Sequence, residues 1–383
     1  MTWHPSDVLD VEGLKRDAFA VRSAVDAARS GLVDRELIAE VVVLCAVAGE
    51  HLLVVGAPGT AKSEAVRRTA TQLGGRYFEY ILGRFTEPNE IFGPVDLRRL
   101  REGVVEVETA GMLPEAEIAF LDEVFLGSTA ILNTLLGVLN ERTFRRGSTN
   151  LAVPLRICVG ATNTLPEDPA LAAFADRFLA RLFVAPVADA RLEELLETGW
   201  QPAAAVPAEA LLPAVDRLAG AARSVSLAAV VPLVATAIRR LRGAGIPLTD
   251  RRVVRAQRLI AAATVLDGRT DATAADLWVL PIVAPTSDTQ VLAREVLGDL
   301  LTTAHNSSLL YAAEEFSDGP RARARRLVET SEKLLSAVTD PVEPDDRLRV
   351  EATLREIDAT LAEDQMPESI RSIRDRLIAV LGP

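Results

Sequence analysis

Short, unbroken apolar runs punctuate the first half of the chain: Leu52–Val55, Tyr77–Leu82, Ile118–Leu121, Ile157–Gly160 and Leu182–Val184. Strands without polar alternation, separated by helical or loop segments, predict a parallel sheet covered by helices on both faces, an α/β fold. Ahead of them, residues 1–30 carry Leu14, Phe19, Val21, Val25 and Ala28 at helical spacing, and Gly31 ends that helix. Asp34 to Ala48 reads as a second helix, apolar on most of its surface and therefore buried. Two stretches break the rhythm. Residues 84–114 are rich in Gly, Pro and charge, with Val104–Glu108 predicted as one arm of a hairpin. Residues 143–155 predict a second hairpin, tipped by Gly147-Ser148.

After the last apolar run the pattern changes. Residues 188–207 shift to Ala, Pro and Gly and read as a linker. From about 208 to 283 the spacing is helical, with caps at Thr249-Asp250 and Thr273, and Pro281 and Pro285 mark its end. Two further helical segments are joined by Pro341–Asp346. Val350, Leu354, Ile357 and Leu361, then Ile370, Ile373, Leu377 and Leu381, form a stripe predicted to close a small intramolecular bundle. The expected division is an αβα core with N-terminal helices at 1–190, an all-α domain at 205–285 and a helical bundle at 288–383.

Composition narrows the classes. With 49% hydrophobic and 25% charged residues the chain is an ordinary globular protein, and its 383 residues suffice for two or three domains. A net charge of -12 argues against a general binder of nucleic acid or anionic membrane. Cys45 and Cys158 lie in apolar runs and read as buried thiols of a reducing compartment. Three dispersed histidines give no zinc cluster. The longest apolar run, Val225–Ile238, is interrupted by Pro232 and falls short of the about 20 residues that a bilayer needs. A cytoplasmic protein without membrane insertion is expected.

The chemistry concentrates at Gly56-Ala57-Pro58-Gly59-Thr60-Ala61-Lys62-Ser63, between the first apolar run and a helical segment. Strand, glycine-bearing turn, Lys-Ser and helix form a cradle for a nucleotide triphosphate. Backbone N–H groups face the phosphates, Lys62 adds a point charge and Ser63 offers its hydroxyl to Mg²⁺. Ala61 stands where the pattern GxxxxGK[ST] has a second glycine, and its methyl is compatible with the loop if φ stays negative, as in a first helical turn. A metal-holding acid is needed at the end of a neighbouring strand, and Ile118–Leu121 runs into Asp122-Glu123. Asp122 would hold Mg²⁺ and Glu123 would polarise the attacking water. The next strand ends in Asn163, whose amide can bond that water or the γ-phosphate. Arg177, in Asp176-Arg177-Phe178, could reach a neighbouring subunit's γ-phosphate, and Arg251, in Thr249-Asp250-Arg251-Arg252, is expected to face the cleft between domains.

In their order these motifs resemble the AAA+ ATPase fold, and in their wording the MoxR family, within it the RavA branch. The resembling text is GAPGTAKS at 56–63, RFTEPNEIFGPVDL at 84–97, GMLPEAEIAFLDEVF at 111–125, AILNTLLGVLNERTFRRG at 130–147, ATNTLPE at 161–167, DRFLARL at 176–182 and TDRR at 249–252. Alanine at the place of Ala61 is also found in the RavA branch. The resemblance implies a P-loop parallel sheet of order 5-1-4-3-2 with a helix-two insert (84–112) and a pre-sensor hairpin (143–155), an all-α lid and a C-terminal helical domain. Lys62 and Ser63 correspond to Walker A, Asp122 and Glu123 to Walker B, and Asn163 to sensor 1. Arg177 corresponds to the arginine finger that acts in trans, and Arg251 to the sensor 2 place. Arg142 and Arg181 are further candidates for interface arginines. The RavA type also carries a small β-rich insertion in its helical domain, and nothing between Ser287 and Pro383 reads as one.

The resemblance implies ATP and Mg²⁺ as cofactors, a homo-oligomeric ring, typically hexameric, and chaperone-like remodelling of a client protein complex with a von Willebrand factor A domain partner. Two other functions share these motifs: a nucleotide-gated assembly scaffold with little turnover, and a DNA-translocating motor, for which Arg145 and Arg146 of the second hairpin would be the contacts.

Overall fold

The computed structural model of the protein describes residues 11–200 and 210–319, and in the C-terminal stretch residues 327–329, 331–332, 334–336, 344–360, 366 and 368–381. Five parallel strands form the central sheet: β1 (Leu52–Gly56), β2 (Tyr77–Ile81), β3 (Ile118–Asp122), β6 (Ile157–Thr162) and β7 (Ala180–Val184). A separate antiparallel hairpin is made of β4 (Thr143–Arg146) and β5 (Thr149–Ala152). The sheet order is β2-β3-β6-β1-β7. Counting its strands alone, this is the expected 5-1-4-3-2 read from the opposite side. Register aligns the strand ends: Ile81 lies beside Asp122, Leu121 beside Gly160, Val55 beside Thr162, and Gly56 beside Val184. The segments leaving β1, β3 and β6 therefore emerge together at one edge.

Helices cover both faces, as fully apolar strands require. Leu52 and Val54 face one core together with α1 (Val11–Arg29), α2 (Glu36–Ala48) and α3 (Lys62–Leu73). Leu53 and Val55 face the other, with α6 (Thr129–Glu141) and α7 (Pro169–Ala175). The second core also takes Ile91 and Phe92 from α4 (Pro88–Phe92), in an insert completed by α5 (Leu97–Arg101). Helix α2 lacks a polar face because it packs against α1, α3 and the helical region beyond residue 210 at once. Each of its buried Val, Leu and Ile side chains contributes roughly 1.5–3 kcal/mol.

Several expectations change. Residues 192–200 of the expected linker form helix α8 (Leu192–Trp200), and 201–207 lie outside the described residues. The insert has no strand at Val104–Glu108; one antiparallel bridge joins Val95 to Val107. Around that bridge Asp96 N donates to Glu106 O and Glu108 N to Pro94 O, and the same segment is tied to the second hairpin, where Ser148 N donates to Val105 O and Val107 N donates to Thr149 Oγ1.

The boundary expected near 288 is not a break in packing. Helices α9 (Leu212–Ala222), α10 (Val231–Gly243), α11 (Asp250–Leu266), α12 (Ser287–Leu297) and α13 (Leu310–Ser317) share one apolar cluster with α1 and α2. Buried Glu40 of α2 receives Ala312 N at the start of α13 (2.7 Å), a carboxylate at a helix N-terminus. A separate small core begins only at Leu327 and joins Val350, Ile357, Ile370, Ile373 and Leu377 of the helices Pro344–Thr360 and Glu368–Leu381. Those stripe residues face one another within the chain. Leu361 and residues 341–343 of the expected joint lie outside the described residues, among which no strand follows Ser287.

Candidate active site

Strand β1 ends at Gly56, where β7 runs so close that a Cβ would meet the Val184 carbonyl. Ala57, Pro58 and Gly59 are exposed, while Thr60 and Lys62 are buried. Ala61 corrects the sequence reading, because it adopts left-handed backbone at φ 56 rather than a negative φ. The reason is its place in the helix. Ala61 is the N-cap of α3, its carbonyl accepting the Ala65 N–H, so it stands before the first turn and not within it. The preceding peptide is held by Arg35, whose Nε donates to Thr60 O at 2.6 Å, and by Thr60 Oγ1 donating to Ala57 O at 2.8 Å. Left-handed backbone costs alanine about 1–2 kcal/mol, so the surrounding contacts must over-determine the loop.

Lys62 is 7% exposed and folds over the loop, Nζ donating to Gly56 O (2.5 Å) and Ala57 O (2.9 Å). Burial lowers the affinity of its amine for a proton, while Asp122 and Glu123 act in the opposite direction. At the end of β3, Asp122 Oδ1 accepts the Glu123 N–H at 2.9 Å. Glu123 itself holds left-handed backbone at φ 49. From the end of β6, Asn163 Nδ2 donates to Glu123 Oε1 at 2.6 Å. The amide fixes the direction of the Glu123 carboxylate. Strain at Glu123 and a single supporting amide are features of a positioned group, not of a surface acid pair.

The donor set suits nucleotide and Mg²⁺. The first N–H groups of α3 lie outside its hydrogen-bond ladder and favour an anion. Ser63, half-buried in the first turn, and Asp122 supply hard oxygens of the kind that hold Mg²⁺ together with phosphates.

The two arginines lie elsewhere. Arg177 sits in the turn between α7 and β7, half-buried, with Nε enclosed and unpartnered. That turn is at the N-terminal edge of the sheet, one strand away from the loop, or ~16 Å at 3.3 Å per residue. Arg251 is exposed on the first turn of α11, and it is Arg252 that enters the seam between domains. Helical spacing explains the exchange, since Arg252 shares the buried stripe of Ala256, Leu259 and Ile260. Its guanidinium donates to Asp176 Oδ1 (3.0 Å) and to the carbonyls of Phe178 (3.3 Å), Leu179 (2.6 Å) and Val283 (2.9 Å). Arg251 and Arg177 thus belong to the same corner.

The further interface candidates turn inward. Arg142 donates to the carbonyls of Leu139 and Gly49, and Arg181, 7% exposed, donates to Pro285 O. Sequence reasoning missed Arg35, which ties Thr60 O to Ala185 O beyond β7 (2.9 Å). The available signal was a cation directly before a helix that is apolar apart from Glu36 and Glu40. Beside it, Arg191 pairs with Asp34, and the helix Pro344–Thr360 packs against the turn Asp189–Arg191.

Comparison with known proteins bears on the fold and the family. Residues 19–218 match the family model described as the MoxR domain in the MoxR-vWA-beta-propeller ternary systems. Two uncharacterized proteins of Methanocaldococcus jannaschii, MJ0079 and MJ0812, are 35% and 36% identical over 237 residues, or 61% of this chain. The chain spans 61% and 62% of the length of these relatives. Chaperone MoxR1 of Mycobacterium tuberculosis is 27% identical over 177 residues, 45% of this chain and 46% of that one. A solved structure from Cytophaga hutchinsonii, described as a candidate ATPase, superimposes with a TM-score of 0.62 at 14% identity, over 77% of this chain and 97% of the other, which is a likeness of fold. The chain belongs to the MoxR family of AAA+ ATPases.

Proposed function

We propose that the protein is an Mg²⁺-dependent ATPase that assembles as a ring, hydrolyses ATP between its subunits and uses the cycle to remodel a protein complex. The observation that carries this reading is the division of the candidate residues. Glu123 and Asn163 meet at 2.6 Å on the loop edge, whereas Arg177 lies before β7 at the opposite edge and Arg251 adjoins Arg252, which bonds the Phe178 and Leu179 carbonyls there. A complete site then needs a second copy, which brings Arg177 to the γ-phosphate.

The roles follow from the chemistry. Lys62 and the loop N–H groups bind the phosphates. Ser63 and Asp122 would hold Mg²⁺, which when bound offsets charge on the phosphates. Glu123, aimed by Asn163, orients water and draws on its proton. Arg177 from the neighbour stabilises charge developing on the transferred group, with Arg251 as a second cation at that interface.

A von Willebrand factor A domain partner is supported by the systems for which the matching family model is described. Ile81, Phe85 and Leu97, 67%, 95% and 68% exposed in or beside the insert, offer apolar surface for a protein contact. Reshaping a docked partner fits this surface.

Mixing two inactive variants tests the proposal. Glu123→Gln should bind ATP and lose turnover by about 10²–10⁴-fold. Arg177→Ala should lose turnover as well. In mixtures, an intact Arg177 from the first variant faces an intact Glu123 of the second, so part of the activity should return. Unchanged hydrolysis by Glu123→Gln would sink the ATPase assignment, and no recovery in mixtures would remove the action in trans.

A further inference from the structure

A cavity of about 710 Å³ lies at the sheet edge away from the phosphate loop. It opens between the end of α2, the end of α6, the approach to β6, and α9 and α11. Five arginines line it: Arg142, Arg156, Arg223, Arg255 and Arg258. Their carboxylate partners are fewer. Arg156 pairs with Asp216 (2.7 Å) and Glu117 (2.9 Å), and Arg255 (2.5 Å) and Arg258 (3.1 Å) share the single charge of buried Glu50. Arg142 is spent on carbonyls and His51, and exposed Arg223 has no ion-pair partner among the described residues. Five guanidiniums against three carboxylates leave a surplus of two positive charges, in a protein of net charge -12.

We propose that this cavity binds an organic phosphate: a small molecule with a phosphate or diphosphate group and an apolar or ring-shaped body. Guanidiniums match phosphate oxygens two at a time, and two of the five, Arg223 and Arg258, present exposed heads. Val47, Leu139, Leu155 and Leu227 supply apolar wall, so the cavity suits more than a bare ion. Its volume falls within the range of small-molecule sites. A bound phosphate would bridge α9 and α11 to α2 and α6. Helix α2 leads into β1 and the phosphate loop, and α6 follows Asp122-Glu123, so occupancy would bear on the segments that carry the ATP site.

The test is calorimetric titration of the full chain with pyrophosphate in a Lys62→Ala background, which weakens phosphate binding at the loop. Stoichiometric binding should persist and weaken about tenfold or more in Lys62→Ala/Arg223→Glu/Arg258→Glu, a loss of about 1.4 kcal/mol. Arg223→Gln alone, at an exposed and unpaired position, should weaken it by a smaller factor with the circular dichroism unchanged. Absence of binding in the Lys62→Ala chain, or binding indifferent to Arg223 and Arg258, would overturn the proposal. So would a cavity that takes polyglutamate and refuses pyrophosphate, because its occupant would then be an acidic protein segment.

Discussion

At the C-terminal edge of the sheet, Lys62 rests on two loop carbonyls, Glu123 holds left-handed backbone and one amide supports its carboxylate. At the N-terminal edge, Arg252 is enclosed by four acceptors, and Glu50, fully buried, receives two arginines. Both edges concentrate charge on the same five strands. At the first edge the charges are thinly partnered and the backbone is strained, as in groups kept for a ligand. At the second they are mostly satisfied and join the helical domain to the core. Changes at the first edge should therefore alter chemistry and leave stability largely intact, and changes to the satisfied groups of the second, Arg252 and Glu50, should do the reverse; Arg177, whose Nε has no partner, stands apart from them.

The largest effect expected from this contrast is at Arg252. Replacing it by Leu removes the donor shared by Asp176 and three carbonyls, at a site 2% exposed. Loss of one partner from a buried ion pair costs about 3–5 kcal/mol; Asp176 retains some access to water, which puts the expected loss at about 3 kcal/mol. Chemical denaturation should show an earlier midpoint, with ATP affinity of the folded fraction unchanged. Full stability with impaired turnover would break the contrast, because Arg252 would then belong to the catalytic apparatus.

Arg35 tests the other edge and should have a smaller effect. Its guanidinium positions the Thr60 peptide against the segment leaving β7. Arg35→Ala removes three hydrogen bonds from a charged donor, to the carbonyls of Thr60, Asp34 and Ala185, worth roughly 1.5–3 kcal/mol each in gross terms, while water can rehydrate part of the exposed loop. We expect ATP affinity to fall about tenfold, read by equilibrium titration, with the denaturation midpoint shifted less than by Arg252→Leu. An affinity loss without an equal loss of stability would sharpen the division between the edges.

These two arginines also mark what could be read from the sequence. Core strands and the loop edge were legible because their signals are local: unbroken apolar runs, a glycine turn before Lys62-Ser63, and carboxylates directly after Ile118–Leu121. Sheet order came through the family resemblance, since no local pattern says that β6 lies between β3 and β1. Partners chosen across long separations were hidden. Nothing near Arg252 announces the carbonyls of Phe178 and Leu179, and nothing near Arg35 announces Ala185. The choice between Arg251 and Arg252 depends on the phase of α11, which a cap at Thr249 fixes only once the buried stripe is known. Val104–Glu108 misled for a related reason. Its alternation is real, but its pairing with 94–96 stops at a single bridge, and its other bonds go to the tip of another hairpin.

The smallest effect is at Ala61, where the sign matters more than the size. At φ 56 the residue carries left-handed strain of about 1–2 kcal/mol, which Ala61→Gly would remove. Against that, glycine gives the unfolded chain more freedom, a loss of about 0.4–1 kcal/mol. The balance is a gain of about 0.5–1 kcal/mol, measurable as a later denaturation midpoint in the absence of nucleotide. Had the residue kept the negative φ of a helical turn, the same substitution would cost about 0.5–1 kcal/mol, so an earlier midpoint would contradict the left-handed loop. Turnover then refines the result. If the glycine variant is more stable and hydrolyses ATP at an unchanged rate, the strain is a by-product of holding Thr60 against Arg35. If it is more stable but slower, the methyl narrows the loop to one conformation, and the thinly partnered edge depends on that restriction.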